Sequence, residues 1–180
     1  MKKFIMSLTI SRAMSGPFIF IFITFFEAFL VSSILFTIAA LTDFLDGYLS
    51  RKFLLESEIG KVLDPIADKI LLTCSLLSII LLTDDLFIAT VIMIILVREF
   101  WVAGLREFSE KNKLEKSISV SYLGKVKTSF QFIAIISFFV SFSFNSSLGQ
   151  FLSSFFLFLS MLLSIKSGLD YSQRFLKRDS

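Results

Sequence analysis

The segment TDFLDGYLSRKFLLESEIGKVLDPIADKI, Thr42 to Ile70, sets four carboxylates, Asp43, Asp46, Asp64 and Asp68, in an otherwise oily chain. An acid in or near lipid is costly and by default marks a functional site. A helix turns about 100° per residue. Asp43, Asp46, Gly47 and Ser50, at i, i+3, i+4 and i+7, therefore form one stripe, and Gly60, Asp64 and Asp68, at i, i+4 and i+8, form a second. The short charged turn between them makes an antiparallel helix pair, and the two stripes are expected to face each other. Four converging carboxylates would repel strongly in a medium of reduced dielectric. Two divalent cations would balance them, and oxygen ligands favour the hard ions Mg²⁺ or Mn²⁺, with Ca²⁺ as the alternative. Two such ions about 4 Å apart suit in-line phosphoryl chemistry. Gly47 and Gly60 would admit a base or phosphate close to the helix backbones. Pro65 removes a helical hydrogen bond and frees the Lys61 carbonyl as a further ligand. Blander readings exist: membrane-helix glycines permit close packing, acids at helix ends are solvated, and Arg51 could mark only the side of the membrane. Paired i+3 and i+4 spacings are poorly explained that way.

Membrane helices are expected to carry these acids. Of 180 residues, 55% are hydrophobic and 24 are phenylalanine, with a mean hydropathy of +0.82. That composition predicts an all-α, six-helix integral membrane bundle forming one domain over residues 1–180. A span needs about 20 mostly apolar residues, which gives spans at 8–26, 30–50, 62–82, 86–106, 120–144 and 148–172. The first run is followed by five more and reads as a retained helix rather than a cleaved signal. An even number of spans places both termini on one side. The 18 Lys and Arg fall in or toward the termini and the 51–61 and 106–118 loops. The turns near Glu27, at 83–85 and at 145–150 have none. The positive-inside rule makes the basic side cytoplasmic, with the aspartates at its edge. Trp101, Tyr122 and Tyr171 read as interfacial anchors.

Other chemistry is excluded by what the chain lacks. It contains no histidine, so neither a phosphohistidine intermediate nor a Ser-His triad is available. The single Cys74 forms no internal disulfide or thiolate cluster, and reads as a small core residue. A net charge of +3 without a long basic run points away from nucleic acid.

The acidic segment resembles the signature of the CDP-alcohol phosphatidyltransferases, D-x-x-D-G-x-x-A-R-x(8)-G-x-x-x-D-x-x-x-D. Asp43, Asp46, Gly47, Arg51, Gly60, Asp64 and Asp68 keep every spacing, with Ser50 where the family usually has Ala. The resemblance implies a six-helix fold, usually homodimeric, in which Asp43, Asp46, Asp64 and Asp68 bind two metals. It also makes Asp68 the base that deprotonates the acceptor hydroxyl, and gives Asp43, Gly47, Arg51 and Gly60 to the CDP moiety.

Outside the motif, Arg98 and Arg106 lie eight residues apart, within about 80° around a helix, and Lys125 and Lys127 begin the fifth span. Four cations near the acids would suit a phosphate dianion; the alternative is that they only mark cytoplasmic helix ends. The segments REFWVAGLR and VSYLGKVKTSFQ, the SLTISR start and SGLDY at 167–171 are similar to those of the bacterial branch of this family that makes phosphatidylglycerophosphate. Thr9 and Arg12 match there, whereas Met6 replaces a common Asn. This resemblance implies CDP-diacylglycerol as donor and sn-glycerol 3-phosphate as acceptor, bound through Arg98, Arg106, Lys125 and Lys127, in a bacterial cytoplasmic membrane. Another acceptor, such as inositol phosphate, serine or phosphatidylglycerol, is the alternative within the family. A divalent-cation transporter is the alternative outside it, but transporters carry midplane sites and internal repeats, and neither is found. A purely structural subunit leaves the four acids unexplained.

Overall fold

The computed structural model describes residues 2–53, 58–111 and 122–179, and their regular structure is entirely helical. Six helices follow in order: α1 (Lys2–Phe26), α2 (Phe29–Phe53), α3 (Glu58–Thr83), α4 (Leu86–Lys111), α5 (Tyr122–Ser143) and α6 (Ser147–Asp179). Each expected span falls on one of them. Among the described residues, five stretches are long and apolar enough to cross a membrane: Met6–Phe26, Val62–Thr83, Leu86–Ser109, Val126–Ser143 and Ser147–Gln173. In α2 the apolar stretch Phe29–Thr42 is shorter and runs directly into the aspartate stripe. The chain is a multi-pass membrane protein. Its large apolar side chains are exposed along the spans, Phe18, Phe25, Ile34, Leu81, Val97 and Leu162 among them, as lipid contact requires.

The turns without Lys or Arg are tight, and each holds a residue with left-handed backbone: Glu27 at φ 49°, Asp84 at 45° and Asn145 at 47°. Asp and Asn accept that conformation more readily than most side chains. The next residues start new helices. The Phe87 amide donates to Asp85 Oδ1 at 2.7 Å, and the Gly149 amide to Ser146 Oγ at 3.1 Å. Both are N-caps that satisfy otherwise orphaned amides.

The helices divide between two compact units, Met1–Asp84 with Ile135–Gln150, and Asp85–Ala134 with Phe151–Ser180. In the first unit α1 packs against both α2 and α3. The α1 side chains Arg12, Ser15, Ile19 and Ile23 are buried at helical spacing, as are Ala67, Leu71 and Ser75 of α3. Gly16 sets the closeness of this pair. A Cβ there would lie 2.9 Å from the Ile70 carbonyl oxygen and 3.1 Å from the Leu71 Cα, so only glycine lets the backbones approach this far. Serines fill much of the interior, and several return their hydroxyl to the preceding turn, as Ser15 does to the Arg12 carbonyl at 2.7 Å and Ser78 to Cys74 at 2.9 Å. The hydroxyl is thereby satisfied without water. In the second unit Phe87 stacks on Phe158 and Phe108 meets Phe175 edge-on, joining α4 to α6.

Candidate active site

The close α1–α3 pair holds the described half of the acidic motif. Asp64 and Asp68 stand one turn apart on α3, and each has a partner from α1. The Thr9 hydroxyl donates to Asp64 Oδ1 at 2.7 Å. Arg12 Nη1 donates to Asp68 Oδ1 at 2.9 Å. The Arg12 side chain is fully buried while that of Asp68 is 48% exposed. A guanidinium in that position needs a counter-charge, because an uncompensated buried cation is strongly destabilising. The Thr9-to-Arg12 step of three residues complements the Asp64-to-Asp68 step of four, so one helix face addresses the other. Thr9, itself buried, and Arg12 entered the sequence reading only as matched positions. Their pairing with the aspartates spans 55 and 56 residues of sequence and had no local signal.

Asp43, Asp46, Gly47, Ser50 and Arg51 lie on α2, but their side-chain environment, like that of Lys61, lies outside the described residues. Gly60 is half-buried on α3. No cluster of three or more acidic, Cys or His residues suited to a metal occurs among the described residues, a set that excludes the Asp43 and Asp46 side chains. Cys74 is free and half-buried.

The second unit gathers the expected cationic residues, with additions. Arg98 of α4 reaches α6 through Nε to the Ser164 carbonyl at 3.0 Å and Nη2 to Ser167 Oγ at 2.8 Å. Its Nη1 donates to Glu99 Oε1 at 3.3 Å. Lys127 of α5, also buried, pairs with the same Glu99 oxygen. Gly168 makes room for this arginine, since a Cβ there would sit 3.0 Å from Arg98 Cγ. Arg106 is exposed and lies over the Tyr171 ring, 5.5 Å from its centroid, a cation–π geometry. Lys125 is on α5, with its side chain outside the described residues. Tyr171 is therefore no interfacial anchor; it is 8% exposed, beneath Arg106. Trp101 fits that role, being 61% exposed with Nε1 bonded to Ser172 Oγ at 3.0 Å. Glu99 entered the sequence reading only as part of the REFWVAGLR segment, with no role of its own, because one acid among cations reads as ordinary helix-surface charge.

Fold and site together define a multi-pass, all-helical membrane protein with paired carboxylates on one helix and a cationic cluster on two others. The family profile of the CDP-alcohol phosphatidyltransferases matches residues 6–166, and the chain belongs to that family. Similar proteins carry the name CDP-diacylglycerol–glycerol-3-phosphate 3-phosphatidyltransferase. One from Rickettsia felis is 44% identical over 130 residues, covering 71% of this chain and 70% of its own. One from Wigglesworthia glossinidia brevipalpis is 38% identical over 132 residues, covering 72% of each. One from Salmonella typhimurium is 32% identical over 130 residues, covering 71% of each. The family is generally dependent on divalent metal.

Proposed function

We propose that this chain transfers the phosphatidyl group of CDP-diacylglycerol to sn-glycerol 3-phosphate, forming phosphatidylglycerophosphate and releasing CMP. The observation that carries this reading is the likeness, across 71–72% of the chain, to proteins named for that reaction. The chain's own residues are consistent with it. With no histidine in the sequence, direct attack by the acceptor is the economical route. Asp68 takes the proton from the acceptor's 1-hydroxyl, that oxygen attacks the β-phosphorus, and CMP departs with the α-phosphate. Asp43, Gly47, Arg51 and Gly60 hold the nucleotide. Arg98, Arg106, Lys125 and Lys127 pair with the acceptor's phosphate, for which charge-assisted hydrogen bonds are the strong option.

The described donor set fits hard cations. Asp64 and Asp68 offer carboxylate oxygens on successive turns, and Thr9 and Arg12 steady them. Together with Asp43 and Asp46 they would hold two divalent ions, Mg²⁺ or Mn²⁺, which when bound offset the charge of the donor's pyrophosphate. The one-sided Lys and Arg support a bacterial inner-membrane protein with both termini and the aspartates on the cytoplasmic side. Family resemblance supports a homodimer. The test is mass spectrometry of the lipid formed when purified protein meets CDP-diacylglycerol and sn-glycerol 3-phosphate. Phosphatidylglycerophosphate is the expected product, and its absence while another acceptor is consumed would replace the acceptor.

A further inference from the structure

Glu99 stands at the centre of the cationic cluster. A single carboxylate oxygen, Oε1, accepts from Arg98 of α4 and from Lys127 of α5. The three side chains are mostly buried, at 13%, 18% and 4% exposure for Arg98, Glu99 and Lys127. Arg98 is held from its other side by Ser164 and Ser167 of α6, so the guanidinium is fixed by three separate groups. Lys127 has a different problem. An ammonium is a compact charge on a flexible four-carbon stem, and a lysine seldom stays fully buried without a partner. Glu99 is the ion-pair partner the structure gives it. A phosphate-binding cation must be in place before the anion arrives, or ordering it weakens binding.

We propose that Glu99 is a positioning residue for the acceptor's phosphate. Its carboxylate ties Lys127 to Arg98 and fixes the spacing of two cations contributed by different helices. It also leaves the trio a net single positive charge, enough to attract a dianion while limiting mutual repulsion between the cations when the acceptor is absent. This inference rests on the assignment of these cations to the acceptor's phosphate. It predicts that losing Glu99 impairs the acceptor selectively and acts through Lys127.

The experiment measures CMP release by the purified full chain in mixed micelles, varying each substrate in turn, for wild type, Glu99→Gln, Glu99→Asp, Lys127→Met and the Glu99→Gln/Lys127→Met double variant. Glu99→Gln keeps the size and an oxygen acceptor but loses the charge. It should raise KM for sn-glycerol 3-phosphate about tenfold and change KM for CDP-diacylglycerol by less than about twofold. Glu99→Asp, which keeps the charge on a shorter stem, should recover part of that loss. Adding Glu99→Gln to Lys127→Met should cost little more, because the residue acts through the lysine. If Glu99→Gln does not fold, the same split between the two KM values in Glu99→Asp decides the matter. Equal changes in both KM values, no change in either, or fully multiplicative effects in the double variant would overturn the role of Glu99. Wild-type protein that releases CMP with a neutral alcohol and not with sn-glycerol 3-phosphate would overturn the acceptor assignment, and the inference with it. Wild type active on sn-glycerol 3-phosphate with an unaltered Glu99→Gln overturns the inference alone.

Discussion

Arg12 Nη1 donates to Asp68 Oδ1 at 2.9 Å, from a side chain that is wholly buried to one that is 48% exposed. The helix nearest the N-terminus thus grips the last aspartate of the motif. Replacing Arg12 with Gln removes a charge-assisted hydrogen bond worth roughly 1.5–3 kcal/mol. Turnover should fall by about 10–150-fold, measured as CMP release at saturating substrates. Unchanged turnover would make the pair purely architectural.

The opposite substitution separates base from ligand. Asp68→Asn should cut turnover by about 10²–10⁴-fold, the usual worth of a general base. Binding of CDP-diacylglycerol, followed by equilibrium titration, should survive, since Asp43, Asp46 and Asp64 remain. Loss of donor binding in step with rate would give Asp68 a role in holding the donor instead.

Gly16 predicts a link between packing and chemistry. In Gly16→Val the new Cβ meets the Ile70 carbonyl oxygen at 2.9 Å and must push α1 away from α3. Overpacking of this kind costs about 1–3 kcal/mol, visible as a lower Tm in detergent. Because Thr9 and Arg12 ride on the same helix, activity measured well below that Tm should also fall. A variant with lowered Tm and full activity would uncouple the two.

Metal dependence and sidedness are separate expectations. Chelation by EDTA should abolish CMP release, and Mg²⁺ or Mn²⁺ should restore it; full activity in metal-free protein would rule the ions out of the reaction. For sidedness, a cysteine at Ser147 in a Cys74→Ser background should react with an impermeant thiol reagent from outside the cell, and one at Ser117 should not. The reverse pattern would put the aspartates on the outer face.

The parts of this molecule that were legible in sequence are those carried by period or composition. Asp64 and Asp68 share a face because four residues make nearly one turn, and the structure places both on α3. The turns at Glu27, Asp84 and Asn145 interrupt apolar runs and were visible for that reason. What was hidden depends on tertiary contact. Arg12 looks like any basic residue near a helix end, and its partner lies 56 positions away. Gly16 differs from a merely tolerated glycine only once the Ile70 backbone is beside it. Tyr171 carried the signature of an interfacial aromatic, yet Arg106 covers its ring. Glu99 gains its meaning from Lys127, on another helix.

Direct phosphatidyl transfer to sn-glycerol 3-phosphate, driven by these carboxylates, is open to a single assay. The most direct measurement is CMP release from CDP-diacylglycerol by wild type, Asp64→Asn and Asp68→Asn, each offered sn-glycerol 3-phosphate, glycerol, serine and inositol phosphate in parallel. Wild type should release CMP rapidly with sn-glycerol 3-phosphate and little with the other three; Asp68→Asn should lose about 10²-fold or more, and Asp64→Asn should be impaired as well. Comparable release by the two variants, or a wild type that prefers serine or glycerol, would contradict this mechanism.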